Sequence, residues 1–494
     1  MTYILHDLYS ILLEIYILVS VVIVLIYGVF FSSSSSLGFP ILSINLGKLT
    51  IQILSFGLYL AISQEVLNLI SWNNFLIFDN FSYGAQIIIL LSVISWFFLT
   101  FLYSVQQKVT SFEFWVLILL AVISMLLIVR SYDLLSIYLT LELQALIFYV
   151  LASFKRTSEF STEAGLKYFV LGAFTSALLL FGSSLIYGLT GATNLNDLSK
   201  LFTGLITDDP LILNGVKTGL VFVIIALLFK ISASPFHMWA PDVYEGSMIT
   251  VTALFSSIPK LGAFSVLFRL LFFTFHDWIG WWSLIILPCI LLSLLIGVLG
   301  AFTQTKWKRF MAYSSINHVG FLLLGFIVGT TTGIFSVLFY FLIYVITSLG
   351  TFGFIMSLKQ YKFPKIYQLR YLENAAMLST TNPALAFAVL IFLFSMAGIP
   401  PLAGFFSKLF VLLIIIQNNS IGVSIIAIIM SCVACFYYIR LIKSVYFDKK
   451  IYWPILLKVD KPTSLIMGSS IILLVSLCLD MELITVISTF MSIV

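Results

Sequence analysis

Charge is what this sequence has least of: Asp, Glu, Lys and Arg together make up 9% of its 494 residues. A soluble chain of this length carries roughly a quarter charged residues, so a water-soluble globular protein is excluded. Cysteine is nearly absent, and Cys289, Cys432, Cys435 and Cys478 all lie in apolar runs. Cys432 and Cys435 form a CxxC inside IIMSCVACFYYI, with no further ligands nearby. They are expected as small apolar residues of a helix, not as a metal or redox site. There is no GxGxxG after a strand pattern, no Walker sequence and no iron–sulfur ligand spacing. His237 and His318 occur singly, without the paired pattern of a haem site. Lys and Arg do not cluster with aromatics, which sets nucleic acid aside as a partner. No cofactor or metal is expected in this chain.

What is present is apolar. Hydrophobic residues make up 61% of the chain, with 47 Phe against 28 Gly and 12 Pro. A membrane-spanning helix takes roughly 20 apolar residues. That ruler predicts an all-α polytopic membrane protein with about fourteen spans, among them 46–70, 215–240, 309–328, 383–417 and 464–490. The N-terminus, MTYILHDLYS, has no basic n-region and nothing reads as cleavable. The connections after odd-numbered spans hold fifteen Lys and Arg, including Lys108, Lys155, Lys306, Lys308, Arg309, Lys359, Lys449 and Lys450. Those after even-numbered spans hold three: Arg130, Lys200 and Lys217. The bias puts the odd-side connections on the cytoplasmic or matrix face and both termini on the other.

Spans four to eight and nine to thirteen run in parallel series. Each series has a long amphipathic connection before its fourth helix, and each fourth helix is interrupted, by SASP at 232–235 and by AGIPPLAG at 397–404. An odd number of helices per unit makes the two repeats inverted, and paired breaks of this kind mark an ion site in transporters. The expected division is an N-terminal three-helix segment (1–105), a first repeat (112–275), a second repeat (280–447) and a C-terminal connection with the last helix (448–494). The run FSSSSSLGFP is expected as a plain connector.

Six ionisable side chains fall well inside spans: Glu142, Lys167, Lys230, Lys260, His318 and Lys408. Each costs about 2.5–3.5 kcal/mol at mid-membrane if unpaired, so each must face the bundle interior, a partner or water. Lys167 lies near enough to its span end to snorkel to the interface instead. Glu14 and Arg269 are also near span ends and are expected there as ordinary interfacial charges. His318 is either part of the set or a neutral histidine bonded to a backbone carbonyl. Burial moves an amine's titration toward neutrality and a neighbouring carboxylate moves it back. Glu142 and Lys230, brought close, would therefore form an adjustable pair. The prolines at 235, 400 and 401 free backbone groups in mid-membrane, and half-helix ends add partial charges beside the lysines.

The runs LLSIYLTLELQALIFYVLASF, STEAGLKYFVLGAFTSALLLFG, FKISASPFHMWAPDVYEGS, WKRFMAYSSINHVGF and GIPPLAGFFSKL resemble the subunit 2 family of NADH dehydrogenase, antiporter-like membrane subunits of respiratory complex I. The similarity covers most of the chain, is clearest from about 130 to 410, and is most specific in PFHMWAPDVYEG. The resemblance implies that Glu142, Lys230, Lys260 and Lys408 match the glutamate of helix five and the lysines of helices seven, eight and twelve, with His318 continuing the axis in helix ten. It implies proton translocation coupled to NADH oxidation and ubiquinone reduction. The FMN, the iron–sulfur clusters and the ubiquinone are expected in other subunits, with the other membrane-arm subunits and membrane lipids as partners. No soluble small-molecule substrate is expected beyond protons. One departure from the family pattern follows EGS, where Met248-Ile249-Thr250 replaces a proline-containing run. Two further readings stand beside this one: a subunit of a standalone cation/proton antiporter, and a structural subunit whose charges do not pump. The skew toward Phe fits an AT-biased organelle gene, so the mitochondrial inner membrane is the expected location, with plastid and bacterial plasma membranes as alternatives.

Overall fold

The computed structural model describes residues 2–31, 43–107, 109, 111–204, 210–362, 365–448 and 456–493. The serine run at 32–36, part of the first amphipathic connection, Lys108, Lys449 and Lys450 lie outside these described residues. The long helices, numbered in chain order, are α1 (Leu12–Phe31), α2 (Ser43–Ser63), α3 (Asn80–Gln106), α4 (Glu113–Arg130), α5 (Leu134–Ala152) and α6 (Glu159–Thr190). A broken helix follows, α7a (Pro210–Lys230) and α7b (Trp239–Gly246). Then come α8 (Ile249–Phe268), α9 (Ile279–Phe302), α10 (Trp307–Leu324) and α11 (Thr331–Ser357). A second broken helix, α12a (Pro383–Ala397) and α12b (Ala403–Gln417), precedes α13 (Ile421–Tyr446) and α14 (Lys461–Leu479).

Among the described residues, twelve helices are long and apolar enough to cross a membrane. The chain is a multi-pass helical membrane protein. The two other expected spans differ for sequence reasons. α10 begins WKRF and carries Ser314, Ser315, Asn317 and His318, so its hydropathy is low although it has 18 residues. The span expected at 383–417 is two 15-residue halves, because Gly398, Pro400 and Pro401 cannot continue a helix.

Three expected boundaries are corrected. The run 46–70 does not stay helical: α2 ends at Ser63 and the chain forms a hairpin, β1 (Leu69–Ser71) with β2 (Leu76–Phe78). The turn is made by Trp72, Asn73 and Asn74, all at positive φ, which asparagine tolerates. The run 215–240 stops at Lys230. The run 464–490 splits at Asp480, whose carboxylate accepts from the Glu482 N–H to start a last helix, Glu482–Ser492. A second hairpin, β3 (Lys359–Lys362) with β4 (Lys365–Gln368), lies between α11 and α12a. α3 and α5 start where Asp79 and Asp133 each form a capping box, with Ser82 and Ser136 respectively.

The connections sort onto two faces. On one, the Trp307 N–H donates to the Arg370 carbonyl, Lys308 reaches the Ser247 carbonyl and Lys359 pairs with Asp460. A cavity on this face is lined by Lys155, Glu245, Lys306, Lys308 and Arg370, so all these odd-side connections meet. On the other, Tyr132 N–H donates to Phe75, Leu134 N–H to Thr193, and Trp72 N–H to Asp7 near the N-terminus. The Asn80 amide donates to the Ile493 carbonyl, so both chain ends share this second face, as the charge bias requires. α8 and α11 form the interior, buried along most of their length, while α6 turns most of its surface outward.

Candidate functional site: a buried polar axis

Along the interior, five of the six sequence-expected residues fall on elements that pack together: Glu142 on α5, Lys230 at the end of α7a, Lys260 on α8, His318 on α10 and Lys408 on α12b. Lys230 is the last residue of α7a, beside its negative dipole end. The chain leaves the helix through Ser232, at φ +62°, and the Trp239 indole N–H returns to the Phe229 carbonyl at 2.9 Å. That bond satisfies one of the carbonyls the break exposes. Glu142 lies within electrostatic reach of Lys230, yet the two do not meet within the 4.0 Å of an ion pair. One carboxylate oxygen of Glu142 is buried without a protein partner.

Lys260 is 2% exposed and its amine has no hydrogen-bond partner. Its nearest aromatic support is the Tyr344 ring, 5.7 Å away at the centroid. Pro259 precedes it inside α8 and deprives the Phe255 carbonyl of its helical donor. The Tyr244 hydroxyl of α7b donates to that carbonyl at 3.2 Å, and Tyr344 donates to Ser256 at 2.9 Å. His318 is buried with Nδ1 2.7 Å from the Tyr340 hydroxyl and Nε2 3.4 Å from that of Tyr438. Its neighbours are therefore phenols, not the backbone carbonyl of the simpler expectation. It sits within electrostatic reach of both Lys260 and Lys408. The Lys408 amine donates to the Met396 and Ala397 carbonyls at 3.1 and 2.8 Å, capping α12a. It also lies 5.3 Å from the Phe321 ring centroid, and shares a small cavity with His318, Ser395 and Tyr344.

Asn317, Ser257 and Ser395 also carry buried polar atoms without protein partners. Groups of this kind inside a bundle call for ordered water. A phenol can donate or accept, as can a neutral imidazole at its two nitrogens, so the His318–tyrosine cluster can pass a proton either way.

Lys167 stands apart from this axis. Its side chain is 45% exposed and pairs with Glu163 at 2.8 Å and Asp242 at 3.1 Å on the basic face. Asp242 and Glu245, the acids of the PFHMWAPDVYEG run, are also bound by Arg309 at 2.8 and 3.1 Å, and Lys306 pairs with Glu245.

Two buried ion pairs were not anticipated. Arg130 bonds Glu14 at 3.0 Å and Gln86 at 2.8 Å, while Gln86 donates to Glu14 at 2.7 Å. Arg269 forks onto both oxygens of Asp79 at 3.0 Å. Burial pushes the Asp79 carboxyl up, but the Arg269 guanidinium and the Ser82 N–H hold it below the ordinary carboxylate value. Glu14 and Arg269 are thus not interfacial charges. No local signal marks them: each arginine stands near the end of its span, and the acid that holds it lies far away in the sequence.

Residues 131–476 match the family described as NADH:quinone oxidoreductase/Mrp antiporter, transmembrane. NADH-ubiquinone oxidoreductase chain 2 of Marchantia polymorpha is 43% identical over 474 residues, 94% of either chain. NADH-quinone oxidoreductase subunit N of Paramagnetospirillum magneticum is 39% identical, over 90% of this chain and 89% of its own. The chain belongs to the chain 2/subunit N family of NADH:quinone oxidoreductases. A chain of respiratory complex I from Thermus thermophilus superposes with a TM-score of 0.79 at 26% identity, covering 96% of this chain and 98% of that one. A chain of the Mrp complex from a Dietzia species gives 0.83 at 19% identity, over 98% and 97%, which speaks for a common fold. Within the chain 2/subunit N family, the departure at Met248-Ile249-Thr250 leaves the axis in place. α8 starts with Met248 extended as its N-cap, and Lys260 sits eleven residues into the helix that Ile249 opens.

Proposed function

We propose that this chain is a proton-translocating membrane-arm subunit of NADH:ubiquinone oxidoreductase, relaying protons through Glu142, Lys230, Lys260, His318 and Lys408. The observation that carries the reading is Lys260: an amine 2% exposed, without an anion or a hydrogen-bond acceptor, within electrostatic reach of His318, which in turn reaches Lys408. A buried cation of that kind is costly and is retained where its charge changes during work. Glu142 and Lys230 act as the adjustable pair. Drawing them together favours capture of a proton by the amine, and parting them favours its release. The broken helices supply movable half-dipoles beside Lys230 and Lys408, and their placement in two five-helix series supports an inverted-repeat transporter plan.

Moving one charge against 100 mV costs about 2.3 kcal/mol. Quinone reduction in other subunits, which hold the FMN, the iron–sulfur clusters and the ubiquinone, supplies it through the membrane arm. The partners are the other membrane-arm subunits and the surrounding lipids, and the location is the mitochondrial inner membrane. A standalone cation/proton antiporter is the weaker reading, because relatives aligned over nine-tenths of the chain are named as oxidoreductase subunits. Lys230→Ala or Glu142→Ala in the assembled complex should cut protons pumped per electron while NADH oxidation by an artificial acceptor is retained. Full stoichiometry in both variants would overturn the relay.

A further inference from the structure

The half-helix α7b makes one connection after another between groups that the relay needs to keep in register. At its start, Trp239 donates its indole N–H to Phe229, the residue before Lys230. On one side, Tyr244 fills the carbonyl that Pro259 leaves open, one turn before Lys260. On the basic face, Asp242 is gripped by Lys167 of α6 and Arg309 of α10 at 3.1 and 2.8 Å. Glu245 is gripped by Arg309 and by Lys306 of the connection before α10. α10 is also the helix of His318. A segment of 8 residues has little helical stability of its own, so its seat is set by these contacts.

We propose that Asp242 is a positioning residue for proton transfer. Its carboxylate, shared between Lys167 and Arg309, fixes the seat of α7b and through Trp239 and Tyr244 fixes the surroundings of Lys230 and Lys260. The pairs are partly exposed, with Asp242 at 35% and Arg309 at 37%, so their worth to stability is small. Their worth is in geometry: a shift of α7b moves the Tyr244 hydroxyl off the Phe255 carbonyl and leaves a bare dipole beside Lys260. Lys167 therefore belongs to the positioning network rather than to the axis itself.

This inference rests on the relay reading, and the experiment separates the two. In complex quantified by NADH oxidation with an artificial acceptor, Asp242→Asn should slow proton pumping during quinone reduction roughly two- to thirty-fold, the span of couplings carried through packed networks, and lower the protons pumped per electron. Asp242→Glu should restore most of the ratio, and Lys167→Ala combined with Asp242→Asn should do little more than Asp242→Asn alone. Tyr244→Phe, which leaves every ion pair intact, should lower the ratio as well, and it carries the test if Asp242→Asn does not assemble. Normal ratios in Asp242→Asn and Tyr244→Phe, beside an impaired Lys230→Ala, would overturn the positioning role and leave the relay standing. Normal ratios in both Lys230→Ala and Glu142→Ala would overturn the relay itself.

Discussion

Lys260 and Arg130 are both buried cations, and they ask for opposite treatment. Arg130 has Glu14 and Gln86 around it, whereas Lys260 has a tyrosine face and no acceptor. Burying an unpartnered amine costs free energy that a thioether of similar length does not. Lys260→Met should therefore leave the thermal stability of the complex unchanged or raise it, while protons pumped per electron fall. A drop in stability equal to that of a broken ion pair would show that Lys260 is paired in the working protein. The axis residues were legible because each interrupts an apolar run at mid-span. Arg130 and Arg269 were not, because each stands near the end of its span and looks like a helix-end charge until its acid is located in space.

At the scale of elements, the two interruptions were readable from SASP and AGIPPLAG, since proline and glycine act on the backbone locally. What the sequence did not reveal is how the broken ends are satisfied. In α7 the lysine ends the first half and a tryptophan returns to cap it; in α12 the lysine starts one turn into the second half and caps the first itself. Such closures join residues 10 to 12 apart across the break, beyond any helical period. Gly398 makes the second closure possible: it stands at φ +78°, and a Cβ there would lie 2.8 Å from Lys408 Cδ. Gly398→Ala should cost more than ~1 kcal/mol through left-handed strain alone. It should also push the amine off Met396 and Ala397, lowering both the midpoint of thermal inactivation and the pumping ratio. A variant that loses stability but pumps normally would divorce the capping of α12a from proton transfer. Hairpin β1–β2 was not legible for a different reason: only the short polar break Gln64-Glu65 separates its apolar strands from α2, and the SWNN turn is their one clear mark.

Over the whole molecule, charge is distributed with a purpose that composition alone conceals. Basic connections gather on one face, whereas the opposite face keeps its few arginines inside, each locked to an acid. The relay axis and these locks are separate polar systems, and the Arg130 lock joins pieces distant in sequence. Arg130 of α4 grips Glu14 of α1 and Gln86 of α3, and its guanidinium lies 4.6 Å from the Phe78 ring centroid of the hairpin. It is one of the polar bonds that hold the N-terminal three helices to the rest, beside the Arg269–Asp79 pair and the Trp96 indole bond to the Thr250 carbonyl. Arg130→Met would strand the Glu14 carboxylate in the interior, at a cost of about 3–5 kcal/mol. Pairing it with Glu14→Met removes both charges and should recover most of that loss, as it does when a buried pair is replaced by apolar side chains. The expected signature is a large fall in the thermal midpoint of the assembled complex for the single variant and a small one for the double. Protons pumped per electron should be unaltered in whatever assembles. Were the single variant to lose pumping in a complex of normal stability, the lock would have to be counted as part of the conducting path, and the division of the molecule into an axis that works and a clamp that holds would fail.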